Sequence, residues 1–325
     1  MQDSTARKTV TIVIPTYNEE ENIALIHQRI TRIFEGELAD RYTLEMLFID
    51  NHSEDRSRAI IEDLSRKDTR VKAIFNARNF GYARSTYYGL SQAQGDCAIL
   101  MNADMQEPPE LIPRFLEAWE AGSKIVAGVK TKSRENPLLY RMRQVYYYFI
   151  RKISEIEHID QFFGFGLYDH SFIRVLRELK DPVPYLRGIV AELGFRIEKI
   201  PYTQEKREHG KSTSGFYQLY EHAMLGITTY SKVVMRLATL IGFGIAFLCL
   251  LLAAVIFFYK LFHWDTYLVG NAGIAVGVFF LGAIQLFFIG LLGEYIMSIN
   301  QRVLNRPLVV EEKRINYPKK VEEEA

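Results

Sequence analysis

The chain has few cysteines and almost no net charge, and both facts exclude classes of protein. Two of its 325 residues are cysteines, Cys97 and Cys249, so a disulfide framework is excluded. Both lie in apolar runs, where cysteine is interpreted as a small packing residue rather than a ligand. Lys and Arg number 40 and Asp and Glu 39, so the sequence lacks the basic excess typical of nucleic-acid binding.

The N-terminal segment MQDSTARKTV is polar and lacks the apolar core of a secretory signal peptide. We therefore expect the soluble part of the chain to remain in the cytoplasm.

Two long apolar runs, Leu237–Tyr259 and Thr266–Gly293, contain no Asp, Glu, Lys or Arg. Each exceeds the roughly 20 residues that cross a bilayer core. The alternative, two buried helices of a soluble protein, is disfavoured because core helices are rarely apolar all round for that length. The sequence therefore predicts two transmembrane helices within residues 237–293.

Basic residues flank this predicted hairpin, whereas the connector Lys260–Asp265 has one Lys and one Asp. Such a bias predicts a multi-pass protein of the inner (cytoplasmic) membrane with both termini in the cytoplasm. Residues 294–325 would be a cytoplasmic tail, frayed from Glu311 onward. The flanking basic residues are Lys232, Arg236, Arg302, Arg306, Lys313 and Arg314.

Small residues in the apolar runs suggest close helix packing. Gly273 and Gly277 form a GxxxG pair, and Gln285 is a polar group at the predicted membrane depth. The packing partner is either the other span or a second subunit, which leaves a homo-oligomer open.

Two further stretches, residues 137–157 and 214–236, mix aromatic and basic side chains. This pattern predicts helices that lie in the headgroup layer of a membrane. Ordinary surface helices that pack on a sheet are the alternative.

Residues 1–213 predict a cytoplasmic α/β domain, because strand-like segments alternate with helix-like ones. Asn18 is expected to cap the first helix, and Pro108-Pro109 to open a later one. The alternation over the first 130 residues predicts a parallel sheet, and ligands of such sheets collect at the carboxyl ends of the strands. The predicted strands are Thr9–Tyr17, Leu44–Asp50, Val71–Phe75, Cys97–Met101, Lys124–Val129, Gln161–Asp169 and Phe195–Tyr202.

Polar segments follow the first four predicted strands. They are IPTYNE (residues 14–19), FIDNHSED (48–55), RNFG (78–81) and MNADMQ (101–106). Each segment alone is also typical of turns and caps. Together, in this order and spacing, they form a specific signature.

The signature resembles glycosyltransferase family 2, whose members are inverting enzymes with a GT-A fold. Within it, the chain is similar to the dolichyl-phosphate mannose synthase and bactoprenol-phosphate glucosyltransferase branch. PTYNEEENI matches the family opening, IDNHSEDRS the usual VDDGSxDxS, and NADMQEPPELIP the usual DADLQDPPExIP. REHGKS resembles an RxxGxSK loop, and LGAIQLFFIGLLGEYI the last span of bacterial members.

The resemblance implies a nucleotide-sugar donor, and we expect a UDP-sugar. It also implies a Mg²⁺ or Mn²⁺ ion that neutralises the diphosphate of the donor. Asp104 would be a catalytic residue. Its carboxylate and the side-chain oxygen of Gln106 would hold the ion. A helix cap before Pro108 is the alternative role for Asp104. The remaining donor-site residues implied by the resemblance are Pro15, Tyr17, Glu19, Asp50, Asn79, Asn102 and Lys130.

The implied acceptor is a polyprenyl phosphate, such as undecaprenyl phosphate, whose oxygen is already anionic near neutral pH. Arg207, in the matched loop, is the first choice for a catalytic cation at this phosphate. The other candidates for phosphate binding are Ser212, Lys130, Arg134, Arg141 and Arg143. For the lysine and the three arginines, the alternative is a solvated surface charge or a lipid-headgroup contact.

The chain departs from the family pattern in three places. Asn102 stands where the first Asp of DxD is usual, Asn51 follows Asp50 where a second Asp is usual, and GFGL (residues 164–167) replaces a GDFR-type segment. Two alternatives therefore stay open. One is a processive polysaccharide synthase, although the chain has no QxxRW motif. The other is a non-catalytic membrane scaffold with a degenerate transferase fold.

Overall fold

The computed structural model describes residues 7–132, 159–179, 181–205, 240–245, 247–248, 271–304 and 306–317, with single residues at 251, 255, 258 and 262. The chain divides into two compact units. One comprises Met1–Arg143, Glu157–Ser214 and Asn305–Ala325, and the other Gln144–Ile156 and Gly215–Leu304. The division assigns the C-terminal residues to the unit that contains the sheet.

An eight-stranded sheet forms the first unit, with the strand order β7-β5-β6-β4-β1-β2-β3-β8. Its central strands are β-branched and apolar, and β1 is buried from Val10 to Thr16. The strands are β1 (Lys8–Thr16), β2 (Tyr42–Asp50), β3 (Val71–Asn76), β4 (Cys97–Leu100), β5 (Ile125–Lys132), β6 (Phe162–Asp169), β7 (Ile197–Thr203) and β8 (Glu311–Ile315).

The predicted α/β sheet is confirmed, and the five strands of the first 132 residues run in one direction, as predicted, but the later strands β6 and β8 make the sheet mixed. β1 pairs in parallel with β2 and β4, as does β2 with β3 and β5 with β7. β6 runs antiparallel to β4 and β5, and β8 antiparallel to β3. Apolar patterning identifies a strand without giving its direction, so the mixed character could not be read from the sequence.

Amphipathic helices cover both faces of the sheet. Ile12 and Ile14 of β1 belong to one core cluster, which includes Ile26 and Phe115, whereas Val13 belongs to a second cluster on the other face. This split follows from the alternation of side chains along a strand. The helices of this unit are α1 (Ile23–Glu35), α2 (Ser57–Lys67), α3 (Tyr82–Gln92), a 3₁₀ turn (Pro109–Leu111), α4 (Ile112–Glu120), α5 (His170–Leu179) and α6 (Leu186–Glu192).

The prediction that the tail frays from Glu311 is wrong for its first residues, because Glu311–Ile315 forms the edge strand β8. Arg314 donates hydrogen bonds to Glu311, to the hydroxyl of Tyr88 at 3.0 Å and to Oε1 of Gln92 at 2.8 Å. Tyr88 and Gln92 lie on α3. The charged side chains of EEKRI thus contact one another and residues of α2 and α3, which a composition argument could not foresee.

The second unit contains one long apolar helix, α7 (Asn271–Val303). Within the described residues, Phe280–Val303 is the one segment that is long and apolar enough to cross a membrane, by length and composition, with a mean hydropathy of 1.7. The predicted run ended at Gly293, whereas the helix continues for ten residues. Most of the first predicted span and both predicted interfacial helices, residues 137–157 and 214–236, lie outside the described residues.

We expect Arg314→Ala to open the β3–β8 pair. The Arg314 and Glu311 side chains are only 19% and 20% exposed, and hydrogen bonds to charged groups contribute about 1.5–3 kcal/mol. A loss of about 2 kcal/mol corresponds to an increase of roughly thirtyfold in amide hydrogen exchange of β3.

Lys313→Ala is the matched control on the same strand. Its contact with Glu62, 3.1 Å long, joins side chains that are 50% and 33% exposed, and such pairs contribute under about 1 kcal/mol. Equal exchange in the two variants would show that Arg314 does not hold the strand.

Candidate active site

Three of the four polar segments are brought together by the pairing of their strands. The register places Thr16 beside Asp50 at the ends of β1 and β2. The backbone N–H of Asn51 donates to the carbonyl of Thr16 at 2.9 Å, and that of Met101 to the carbonyl of Val13 at 3.0 Å. β3 lies beside β2 in the same direction, so the remaining segment, RNFG (residues 78–81), starts at the same edge of the sheet.

The loops after β1 and β2 are joined by direct hydrogen bonds. The Asn18 N–H donates to Oγ of Ser53 at 3.0 Å, and the Glu54 N–H donates to Oδ1 of Asn18 at 2.8 Å. Asn18 has a left-handed backbone with φ of 55°. The prediction that it caps the first helix is wrong, because α1 begins at Ile23 with Asn22 at the N-cap. Its side chain instead links two loops.

The three residues predicted to frame a nucleoside differ in exposure. Pro15 and Glu19 are buried, and Tyr17 is half-buried. Oε2 of Glu19 accepts a hydrogen bond from Nδ2 of Asn22 at 2.6 Å. Glu19 therefore also organises the start of α1, and the nucleoside role of all three residues stays a prediction.

Asp50 is fully buried beneath the turn that follows β2. Its carboxylate accepts N–H groups of His52 at 3.1 Å and Ser53 at 3.2 Å, and Nε of Arg58 lies 3.6 Å from Oδ2. Burial raises the pKa of Asp50, while the Ser53 hydrogen bonds and the charge of Arg58 oppose the shift. Donor binding by Asp50 stays a prediction. Sequence reasoning missed Arg58, because it meets Asp50 only in the folded turn and its other partner, Glu312, is distant along the chain.

Asn51 connects the loops after β2 and β3. Its Oδ1 accepts from the Phe80 N–H at 3.0 Å and from Nδ2 of Asn76 at 3.1 Å. Its Nδ2 donates to Oδ1 of Asn79 at 2.9 Å, and the same Asn79 oxygen accepts the Gly81 N–H at 2.8 Å. The backbone donors fix both amide orientations. Position 51 must therefore supply a donor as well as an acceptor, which explains why an Asp is absent there.

The loop after β4 is closed by a buried carboxyl group that sequence reasoning missed. Glu107, 4% exposed, accepts the backbone N–H of Asn102 at 2.7 Å and its Nδ2 at 3.0 Å. Oδ1 of Asn102 accepts from the Tyr82 hydroxyl at 2.8 Å. Asn102 is thus bound within the protein, and its predicted contact with a donor remains untested. Burial raises the pKa of Glu107 to about 8, the Asn102 N–H opposes that shift, and the charge of Asp104 adds to it.

Asp104 and Gln106 lie in the middle of this loop, on either side of Met105, which has a left-handed φ of 59°. Oδ1 of Asp104 accepts the Gln106 N–H at 3.2 Å. Oε1 of Gln106 accepts from Nε2 of Gln204 at 2.9 Å, which fixes the side chain and leaves the amide oxygen a second lone pair.

This donor set fits a magnesium-type ion. Mg²⁺ is commonly held by one or two protein oxygens while waters and substrate phosphates complete its shell. Among the described residues no group of three His, Cys, Asp or Glu side chains could hold a metal alone. An ion at Asp104 and Gln106 would therefore depend on the phosphates of a bound nucleotide.

Lys130 lies at the end of β5 that borders the site, since β5 pairs with β6 and β6 with β4. It is buried, with its ammonium 6.0 Å from the ring of Phe163. The guanidinium of Arg187, which the sequence analysis did not select, lies 4.4 Å from the same ring. The remaining predicted acceptor residues lie outside the described residues. They are Arg134, Arg141, Arg143, Arg207 and Ser212.

The departure at residues 164–167 has a steric basis. A Cβ at Gly166 would lie 2.3 Å from the carbonyl oxygen of Val126. The ring of Phe165 packs against Phe115 and Tyr202, with centroids 5.0 and 5.2 Å apart. Residues 164–167 therefore serve the core of the sheet. They supply neither the Asp nor the Arg of the usual GDFR-type segment.

A family model described as Glycosyl transferase family 2 matches residues 11–177, from β1 through most of α5. The chain belongs to glycosyl transferase family 2. The GT-A-type α/β fold that the resemblance implied is therefore confirmed.

Relatives match over nearly the whole chain. An uncharacterized glycosyltransferase of Bacillus subtilis, YkcC, is 31% identical over 93% of this chain and 93% of its own length. The SfII prophage-derived bactoprenol glucosyl transferase of Shigella flexneri is 30% identical over 92% of this chain and 96% of its own. Among solved structures, the mannosyltransferase PcManGT of Pyrobaculum calidifontis is 17% identical, with a TM-score of 0.44 over 70% of this chain and 64% of that one.

We expect Asn51→Asp to destabilise the site, because the new carboxylate would face Oδ1 of Asn79 without a proton to donate. An unsatisfied buried partner costs about 1–3 kcal/mol, which a denaturant titration of the purified protein measures.

Asn79→Asp is the matched control, since the bonds described for Asn79 use its oxygen as acceptor. It should keep the stability within about 0.5 kcal/mol of the parent protein. If the two variants were equally stable, the amide of Asn51 would have no special role.

Proposed function

We propose that this glycosyltransferase moves a sugar from a nucleotide-diphosphate sugar, a UDP-sugar, to a polyprenyl phosphate such as undecaprenyl phosphate. The product would be a polyprenyl-monophosphate sugar that serves modification of the cell envelope. The observation that carries the proposal is the meeting of Asp50, Asp104 and Gln106 at one edge of the sheet, in a chain whose relatives of similar length include bactoprenol glucosyl transferases.

The donor half of the proposal is supported by the loop that contains Asp104. Breaking a sugar–diphosphate bond builds negative charge on the leaving group, and a divalent cation stabilises that charge. Asp104 and Gln106 supply the oxygen ligands that Mg²⁺ or Mn²⁺ prefers. Asp50 and Arg58, joined by the ion pair described above, would hold the nucleoside end from the neighbouring strand.

The acceptor half of the proposal is supported by the Shigella flexneri relative, a bactoprenol glucosyl transferase whose match covers 92% of this chain. A phosphate oxygen is anionic at neutral pH and needs little help from a general base. The site must place it in line with the anomeric carbon and balance its charge. Lys130 and Arg187 lie at the bordering strand end, and Arg207 and Ser212 remain candidates from the matched loop.

Direct displacement would invert the anomeric centre, so an α-linked donor would give a β-linked lipid phosphate sugar. A lipid acceptor requires the protein to lie at a membrane. We propose that residues 237–293 form two spans with both termini in the cytoplasm, and that residues 137–157 and 214–236 lie in the headgroup layer. The apolar helix α7 supports the second span.

The decisive experiment offers the purified full-length protein a panel of nucleotide-sugars with undecaprenyl phosphate and Mn²⁺ or Mg²⁺. We expect one sugar to appear on the lipid phosphate, with mass spectrometry identifying the product. A long polysaccharide would favour a processive synthase. The absence of both transfer and donor hydrolysis would favour a non-catalytic scaffold.

We expect Asp104→Asn to lower turnover at least about a hundredfold at saturating metal, because it removes the charged oxygen of the proposed ion site. Initial rates with the donor identified by the panel measure the effect.

Asp63→Asn is the control, since Asp63 pairs with Lys67 on the exposed face of α2. It should leave the rate unchanged. A near-normal rate for Asp104→Asn would assign Asp104 to the structure of the loop.

A further inference from the structure

The loop from Asn102 to Glu107 is held shut by its own ends. Both carboxyl oxygens of Glu107 accept hydrogen bonds from Asn102, one from the backbone N–H at 2.7 Å and one from Nδ2 at 3.0 Å. The other amide atom, Oδ1, accepts from the Tyr82 hydroxyl at 2.8 Å. If the amide of Asn102 were turned over, its oxygen would face Glu107, so the carboxyl group sets its orientation.

The sequence departs from the family pattern at both ends of this loop. NADMQE stands where DADLQD is usual, so Asn replaces Asp at position 102 and Glu replaces Asp at position 107. The structure shows that these two replaced side chains bind each other. The extra methylene of Glu provides reach, and the amide of Asn provides the donor that a second acid would lack.

We propose that Glu107 is a positioning residue that closes the 102–107 loop, and that Asn102 is its partner rather than a lost metal ligand. Asp104 and Gln106 lie between these two ends, tied to each other by a hydrogen bond of 3.2 Å. Closing the loop sets the spacing of their oxygens before any ligand arrives. This inference rests on the proposed function, in which these oxygens hold a divalent ion.

The inference predicts that restoring the usual Asp at position 102 is harmful. Asn102→Asp would place a second carboxyl group about 3.0 Å from that of Glu107 and remove the donor between them. Two carboxyl groups that share a site in this way cannot both be ionised, and neither supplies the Nδ2–H group that Glu107 now accepts. The loop would open and separate Asp104 from Gln106.

A double-mutant cycle tests the pair. In Asn102→Asp with Glu107→Gln, the new amide can donate to the new carboxylate and still accept the backbone N–H at position 102. The readout is Mn²⁺ affinity of the full-length protein in the presence of UDP, measured by electron paramagnetic resonance. We expect each single change to weaken Mn²⁺ about tenfold or more, the scale for residues that orient ligands. The double change should recover to within about threefold of the parent protein.

Two further variants separate the possible failures. Tyr82→Phe removes one donor to Asn102 and should weaken Mn²⁺ only a few-fold, and it tests the pair even if a single change at 102 or 107 prevents folding. Asp104→Asn should abolish Mn²⁺ binding. If it did not, the proposed ion site would be wrong, whatever the cycle shows.

Two outcomes would overturn the inference while leaving the ion site intact. Tighter Mn²⁺ binding by Asn102→Asp would make position 102 a ligand position that this chain has lost. Thermal denaturation would first establish that each variant is folded. Additive losses of Mn²⁺ affinity in the double variant would then show that Asn102 and Glu107 act independently.

Discussion

The parallel pairing of β1 with both β2 and β4 is the constraint on which the site depends. It aligns the carboxyl ends of three strands, so that turns separated by tens of residues along the chain share one edge. A slip of one residue in either pair would move every side chain of β1 to the opposite face of the sheet and shift its C-terminal loop relative to the others. The packing of β1 on both faces therefore fixes where its polar C-terminal loop lies.

Hydrogen bonds from polar side chains then fix the loops at these strand ends relative to one another. Asn18, Asn51 and Asn102 each join a loop to a neighbouring part of the chain, and each uses its amide or carbonyl oxygen as an acceptor. Buried amides can satisfy donors and acceptors together without adding charge. The carboxyl ends of these strands are thus bordered by neutral amide groups, while Asp50 and Glu107 are buried beneath the turns.

The sequence predicted the strands and their polar ends well, because β-branched runs and turn residues are local signals. It could not predict that β6 and β8 run antiparallel, since neither pattern encodes direction. Glu107 was passed over because its partner, Asn102, was assigned to the ligand by resemblance. Arg58 was missed because its partners, Asp50 and Glu312, approach it only in the folded sheet. Side-chain contacts that form only in the folded chain are what a single sequence conceals.

The edge strand β8 has a consequence for how this protein can be made. It supplies Glu312, whose Oε2 lies 2.7 Å from Arg58, and Arg58 in turn faces the buried Asp50. β8 follows the apolar helix α7 in the chain, so the sheet is not a contiguous segment. During synthesis the sheet would receive its final strand only after that helix had left the ribosome. A fragment that ends before the helix would therefore carry an open β3 edge, and it would leave Arg58 without one of its two carboxylates.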